Sequence, residues 1–191
     1  MSAPEPQAPP DTALCILTGA SGSGKTTLLK RVVKTYFPDL SYYHFDDIGV
    51  PTLEEMQDDF GGPDNWQAHA TRLWLKRIAL SNAPLTVLDA QVKPSLLKGA
   101  ADRYGLFKLN TVLIDCGHEE RRNRLIHNRS QLDLDTLDMY AWAAYLRGQA
   151  DALELEIIDT TLATTEESAK ELAQSIEGFS QRVGVSKRGD V

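Results

Sequence analysis

Cysteine is nearly absent from this 191-residue sequence, at two residues, and aromatic side chains make up only 7% of it. Cys15 and Cys116 each lie in or beside an apolar run, with neither the short spacing of a metal site nor the density of a disulfide framework. They read as small core residues in a reducing cytosol, which makes a cytoplasmic location the expectation. Positive charge is also scarce: 20 Lys and Arg against 27 Asp and Glu leave a formal net charge of -7. That balance argues against a nucleic-acid partner, because a phosphate backbone demands clustered cations. No apolar run approaches the length that spans a bilayer, so a membrane partner is not expected either. The four histidines, His44, His69, His118 and His127, are too scattered to suggest a metal site. The Pro-rich start has neither a basic region nor an apolar core of a signal peptide, and residues 1–11 are expected to form a flexible tail. A second short tail is expected over 186–191, with a single domain over 12–185 between them.

What the chain does contain is a loop for phosphates. The segment Gly19-Ala-Ser-Gly-Ser-Gly24-Lys25-Thr26-Thr27 follows the apolar run Leu14-Cys-Ile-Leu-Thr18 and fills every position of G-x-x-x-x-G-K-[ST]. Successive backbone N–H groups in such a loop point into one concavity, and the helix after it adds its positive dipole end. Glycine at 19, 22 and 24 removes the Cβ atoms that would obstruct the oxygens. Lys25 would sit between the β and γ phosphates, and Thr26 would offer its hydroxyl to Mg²⁺. Ser21, Ser23 and Thr27 complete the nucleotide-binding set, which by itself does not choose between ATP and GTP.

Strand-length apolar runs recur at Leu14–Thr18, Ser41–Phe45, Leu85–Leu88, Thr111–Ile114 and Leu155–Ile158, with helical patterns between them. That alternation predicts an α/β fold, a parallel sheet with helices on both faces. Helices are expected from Asp64 onward, over Glu119–Asn128, over Leu134–Ala150 and over Glu166–Phe179, and Gly61-Gly62-Pro63 reads either as a hinge or as a plain helix entry. The second strand ends in Asp46-Asp47, at the sheet edge where open α/β folds bind ligands. A phosphotransferase needs a carboxylate there to orient a hydroxyl and take its proton. Asp46 is the expected base; Asp47 is the alternate or a possible Mg²⁺ anchor. The third strand runs into Asp89-Ala-Gln91, which makes Asp89 a candidate to hold Mg²⁺ through water and Gln91 a candidate substrate contact. Trp66, on the segment expected to close over the acceptor, is a further substrate candidate. Arg121, Arg124 and Arg129 recur at near-helical spacing in an otherwise acidic chain, with Arg124 and Arg129 the expected clamps for a polyphosphate. The turn Asp159-Thr160-Thr161 after the last strand could meet a base.

With those residues in place the chain resembles the small P-loop kinases, the group that includes adenylate, shikimate and gluconate kinases and chloramphenicol phosphotransferase. Gly19 to Thr26 matches the phosphate loop, Asp46 and Asp89 the acids after the second and third strands, and Arg124 with Arg129 the arginine-bearing helix before the lid. The resemblance implies a P-loop NTPase fold of three α/β/α layers, a five-stranded parallel sheet of order 2-3-1-4-5, Mg-ATP as donor, and adenine packed on the loop after the fifth strand, from Asp159. The stretch Phe45 to Pro51 with Trp66-Gln67 is also similar to bacterial AAA-family ATP-binding proteins. Two departures stand out: the link between Arg129 and Leu134 is too short for a large folded lid, and no acceptor signature of shikimate or gluconate kinase is present. The expected activity is transfer of the γ-phosphoryl of Mg-ATP to a hydroxyl of a small molecule such as a nucleoside, nucleotide or sugar. The alternative is a nucleotide-dependent regulatory ATPase acting on a protein partner. Monomer and homodimer both remain open.

Overall fold

The computed structural model describes residues 5–128 and 131–185. Strand β1 (Ala13–Thr18) is buried at every position, as a continuous apolar run must be when it has sheet neighbours on both edges and helices on both faces. Strand β3 (Leu85–Asp89) pairs with it in parallel on one side and β4 (Lys108–Asp115) on the other, while β2 (Ser41–His44) and β5 (Glu156–Asp159) add to the outer edges. The order is β2-β3-β1-β4-β5, as the resemblance implied. The register sets His44 opposite Asp89 and Asp115 opposite Asp159, so the acidic strand ends share one edge of the sheet.

Alternation along β1 sorts the core into two layers. Leu14 and Ile16 face α3 (Pro63–Ala79) and α4 (Pro94–Asp102), where Trp74, Ile78 and Leu97 are buried. Cys15 and Leu17 face α1 (Lys25–Thr35) and α7 (Thr165–Arg182), where Leu29, Leu172, Ile176 and Phe179 are buried. Burial also pushes the Cys15 thiol up to about 12, consistent with an inert core residue. Helix α6 (Leu137–Ala152) packs Leu146 and Ala150 against Leu113 of β4.

Helix α2 (Leu53–Phe60), not expected from apolar periodicity, is started by a capping box in which Thr52 and Glu55 exchange side-chain and backbone hydrogen bonds. Gly61 then ends it in the left-handed region at φ 73, and Pro63 at the first turn of α3 starts the next helix. The Gly-Gly-Pro run is therefore a stop and a start. The short helix α4 was likewise unexpected, and the helix expected from Leu134 begins later, at Leu137, because the Thr136 hydroxyl accepts from Met139 N and caps it there. Helix α5 (His118–Asn123) runs on into a π-helical turn over Arg124–Asn128.

The Pro-rich segment expected to lie free is docked from Gln7 onward. Ala8 is buried and its N–H donates to Tyr104 O at 2.7 Å, Gln7 Nε2 donates to Arg103 O at 2.9 Å, and Asp11 pairs with Lys108 at 2.9 Å. Its prolines leave few backbone donors to satisfy; the Ala8 N–H and the Gln7 side-chain amide both find carbonyls just past the end of α4.

Candidate functional site

The glycine-rich loop leaves the central strand and returns as α1. At Gly19, φ is +152 and a Cβ would lie 2.2 Å from Ile114 O of β4, so only glycine lets the loop turn this close to the neighbouring strand. Gly24, at φ 102, sits at the N-cap of α1, which aims the helix dipole into the loop. Lys25 is 8% exposed, and its ammonium folds back to donate to Gly19 O at 2.8 Å and Ala20 O at 3.1 Å.

A hollow of about 280 Å³ opens in front of this loop. Ser21, Gly22, Lys25 and Thr26 form its floor, and Asp46, Asp89 and Gln91 come to it from the sheet edge. Oδ2 of Asp89 accepts from Thr26 Oγ1 at 2.5 Å and from His44 Nδ1 at 3.0 Å. A carboxylate oxygen only accepts, which assigns the imidazole proton to Nδ1. His44 was not expected in the site; its position at the last residue of β2, in register with Asp89, is the feature that brings it there. Gln91 Nε2 donates to Ser21 Oγ at 2.8 Å, and Gln67 Nε2 of α3 donates to Gln91 O at 2.7 Å, so α3 is tied to the loop through two amides.

Asp46 and Asp47 part company in the short 3-10 turn Phe45–Ile48. Asp46 lines the hollow, whereas Asp47 does not. Burial, then the nearby Asp89 carboxylate, raise the Asp46 pKa above its ordinary value, while Lys25 acts in the opposite direction. Phe45, just before it, is locked by Trp74, whose Nε1 donates to Phe45 O at 2.9 Å. Trp66, expected to contact substrate, is not among the residues that line the hollow. Its ring packs 5.0 Å from Phe60 and 6.1 Å from His69, bridging α2 to α3, which uses its apolar surface inside the protein.

A second hollow, of about 500 Å³, lies on the other side of Gly22 and Gly24, bounded by Thr27, Arg124, Thr160 and Ser168. Arg124 is held here and not at the first hollow. Its Nε pairs with Glu120 one turn back at 2.8 Å, Nη1 donates to Thr160 Oγ1 at 2.9 Å and Nη2 to Thr160 O at 2.6 Å. Thr160 is buried and its Oγ1 lies 2.9 Å from Ser23 O and 3.0 Å from Asp115 O, so it clamps the phosphate loop to the end of β4. Asp159 accepts from Thr161 N and Oγ1, which lowers its pKa and commits the carboxylate to its own turn. Arg129 lies outside the described residues. Arg121, a lesser candidate by sequence, is buried, with its guanidinium 5.4 Å from the Tyr140 ring centre and Nη1 3.5 Å from Cys116 O.

The Thr26 hydroxyl beside the Asp89 carboxylate is an oxygen pair of the kind a Mg²⁺ that keeps most of its waters can use; among the described residues there is no group of three or more His, Cys, Asp or Glu placed to hold a metal ion. Among the described residues, no helix is long and apolar enough to cross a membrane.

No protein-family model matches the chain, and no curated protein does. Solved structures do. The chain is similar to shikimate kinase from Acinetobacter baumannii in complex with shikimate at a TM-score of 0.56 and 15% identity, covering 92% of this chain and 96% of that one. It is similar to a sugar kinase from Janibacter sp. HTCC2649 at a TM-score of 0.58 and 19% identity, over 90% and 98% of the two chains. A gluconokinase from Sinorhizobium meliloti 1021 aligns at a TM-score of 0.55 and 15% identity, over 95% and 96%. At these identities the likeness establishes the fold, the five-stranded P-loop α/β fold of the small-molecule kinases.

Proposed function

We propose that the protein is a Mg²⁺-dependent phosphotransferase that moves the γ-phosphoryl of ATP to a hydroxyl of a small organic molecule. The observation that carries this reading is the meeting of Asp46 with Lys25, Thr26 and Asp89 around one hollow. A bare nucleotide switch has no need of a carboxylate with a raised pKa facing the phosphate loop; a transferase does. The fold neighbours, named for shikimate, gluconate and sugar kinases, support the same class.

In this reading Gly19 to Thr27 hold the triphosphate by their backbone. Lys25 exchanges its two loop carbonyls for phosphate oxygens. Thr26, with Asp89 through water, would hold Mg²⁺, which supplies charge neutralisation between the phosphates. His44 fixes the Asp89 carboxylate, and Arg124 with Thr160 bounds the hollow where the base lies. Asp46 accepts the proton of the acceptor hydroxyl as that oxygen bonds to phosphorus and the bridging bond to the leaving diphosphate breaks. Gln91, fixed by Ser21 and Gln67, is positioned to touch the acceptor. The Mg²⁺-dependent donor, the acceptor class and these residue roles are tested together by incubating γ-labelled ATP, Mg²⁺ and a small-molecule extract with wild type, Lys25→Ala and Asp46→Asn. A labelled organic product made by wild type alone, with nucleotide affinity nearly intact in Asp46→Asn, is the expected result. Labelled inorganic phosphate as the sole product would move the assignment to a regulatory ATPase; equal loss of nucleotide binding and transfer in Asp46→Asn would remove Asp46 as base.

A further inference from the structure

Away from the phosphate loop, helices α3 and α4 enclose a separate hollow of about 320 Å³ that shares no lining residue with the two described above. Its buried lining is Thr71, Val92 and Leu97, and three cations, half-buried Lys93 and exposed Arg72 and Arg103, line it as well. No acidic residue lines it, in a chain whose net charge is -7. Lys93 is paired with Asp64 at 2.9 Å, but Asp64 is 81% exposed, a weak partner that a buried anion can displace. Neither Arg72 nor Arg103 forms an ion pair with a carboxylate among the described residues.

Gly99 is the second observation. It stands in the interior of α4, where glycine is disfavoured, yet a Cβ built on it meets no atom within 4 Å. Neither protein packing nor an unusual dihedral calls for glycine there. Gly99 is exposed and lines the hollow, so its lack of a side chain leaves the solvent side of the hollow open.

We propose that this hollow binds a small organic anion, a carboxylate or phosphate ester with an apolar body, as an effector and not as the phosphoryl acceptor. The aliphatic lining takes the body and the guanidinium forks take the anionic group by charge-assisted hydrogen bonds. Without a lining carboxylate the hollow has no base, so nothing there deprotonates a hydroxyl. Gln67 lines it and also donates to Gln91 O, so one amide hydrogen bond links the effector hollow to the candidate acceptor hollow. The inference stands independently of the phosphotransferase reading.

The test is titration of the full chain with phenyl phosphate, benzoate and inorganic phosphate, followed by two-dimensional amide NMR. Phenyl phosphate should saturate one site, shift amides of α3 and α4, and bind Lys25→Ala as well as wild type; benzoate arbitrates between carboxylate and phosphate preference, and inorganic phosphate, lacking an apolar body, should bind more weakly. Arg72→Gln and Arg103→Gln should each weaken phenyl phosphate roughly tenfold, and Gly99→Leu should block it, with the remaining amide spectrum unchanged. Affinity unchanged in the Arg72→Gln/Arg103→Gln double variant, or saturation that disappears in Lys25→Ala, would overturn the proposal.

Discussion

One substitution, glycine to alanine, should give three different results at three places, because the added methyl meets three different surroundings. At Gly19 the new Cβ would lie 2.2 Å from Ile114 O, a backbone atom in the middle of the sheet, at φ +152. Nothing flexible can yield, so the loop or the β1–β4 seam must part. Overpacking of a tight site costs about 1–3 kcal/mol and a sparsely populated dihedral about 1–3 kcal/mol more, together roughly 2–6 kcal/mol. At Gly49 the Cβ meets nothing within 4 Å but φ is +87, so only the dihedral term acts, at roughly 1–2 kcal/mol. At Gly99 the Cβ is equally unobstructed and the backbone is helical, so alanine should stabilise by about 0.5–1 kcal/mol. For a domain of this size 1 kcal/mol moves Tm by about 2–4 °C. Thermal melts and urea titrations of the three variants should therefore rank Gly99→Ala above wild type, Gly49→Ala a few degrees below it, and Gly19→Ala lowest, with nucleotide binding lost in Gly19→Ala alone. A Gly19→Ala protein as stable as Gly49→Ala, or a destabilised Gly99→Ala, would refute the steric reasoning.

Other outcomes follow from the site. If Asp46, whose pKa is raised, works as the base in the proposed transfer, kcat/KM should fall on acidification at a pH above the ordinary carboxylate range near 4; a profile flat down to that range would count against Asp46. The sign for stability is opposite to that of a salt-bridged acid: a raised native pKa favours the folded state below the unfolded pKa, and the advantage is lost as pH rises through the native value. Asp46→Asn should then be more stable than wild type at neutral pH while inactive, read from melts at acidic and neutral pH. Trp74→Phe keeps one aromatic ring but removes the indole N–H that donates to Phe45 O and leaves a void where the buried indole packed, a loss of about 1–3 kcal/mol or more. Its urea midpoint should fall, and transfer should fall with it, because the lost bond anchors the residue before Asp46.

Much of the fold was legible because its signals are local. The apolar run of β1, the loop after it and the acids at the ends of β2 and β3 follow one another along the chain, and a parallel sheet requires helices between such strands. Helices α2 and α4 escaped because each has a weak core face: Met56 is the only buried residue of α2, and α4 is interrupted by Gly99. The Thr52 to Glu55 capping box and Pro94 at the first turn were the readable cues. Asp46 and Gln91 lie in the hollow because strand ends dictate where they go. Arg124 bounds the second hollow, beside the phosphate loop, while Trp66 turned away from the first because a large ring finds partners across elements. The pairing of Arg124 with Glu120 follows the i,i+4 spacing, whereas its bonds to Thr160 and the packing of Trp66 on Phe60 join elements that no spacing rule connects. His44 joined the site through register, which becomes visible only when two strands are paired.

The strand order divides the sequence as well as the sheet. After β1 the chain completes one wing, β2 and β3, before it starts the other, β4 and β5, and the loop sits on the seam. The residues before about position 107 carry nearly all of the hollow beside Asp46, and those after it carry most of the hollow beside Arg124. In the proposed reading, the acceptor side of the site is therefore carried mostly by one stretch of the chain and the donor side mostly by the other, with the phosphate loop common to both.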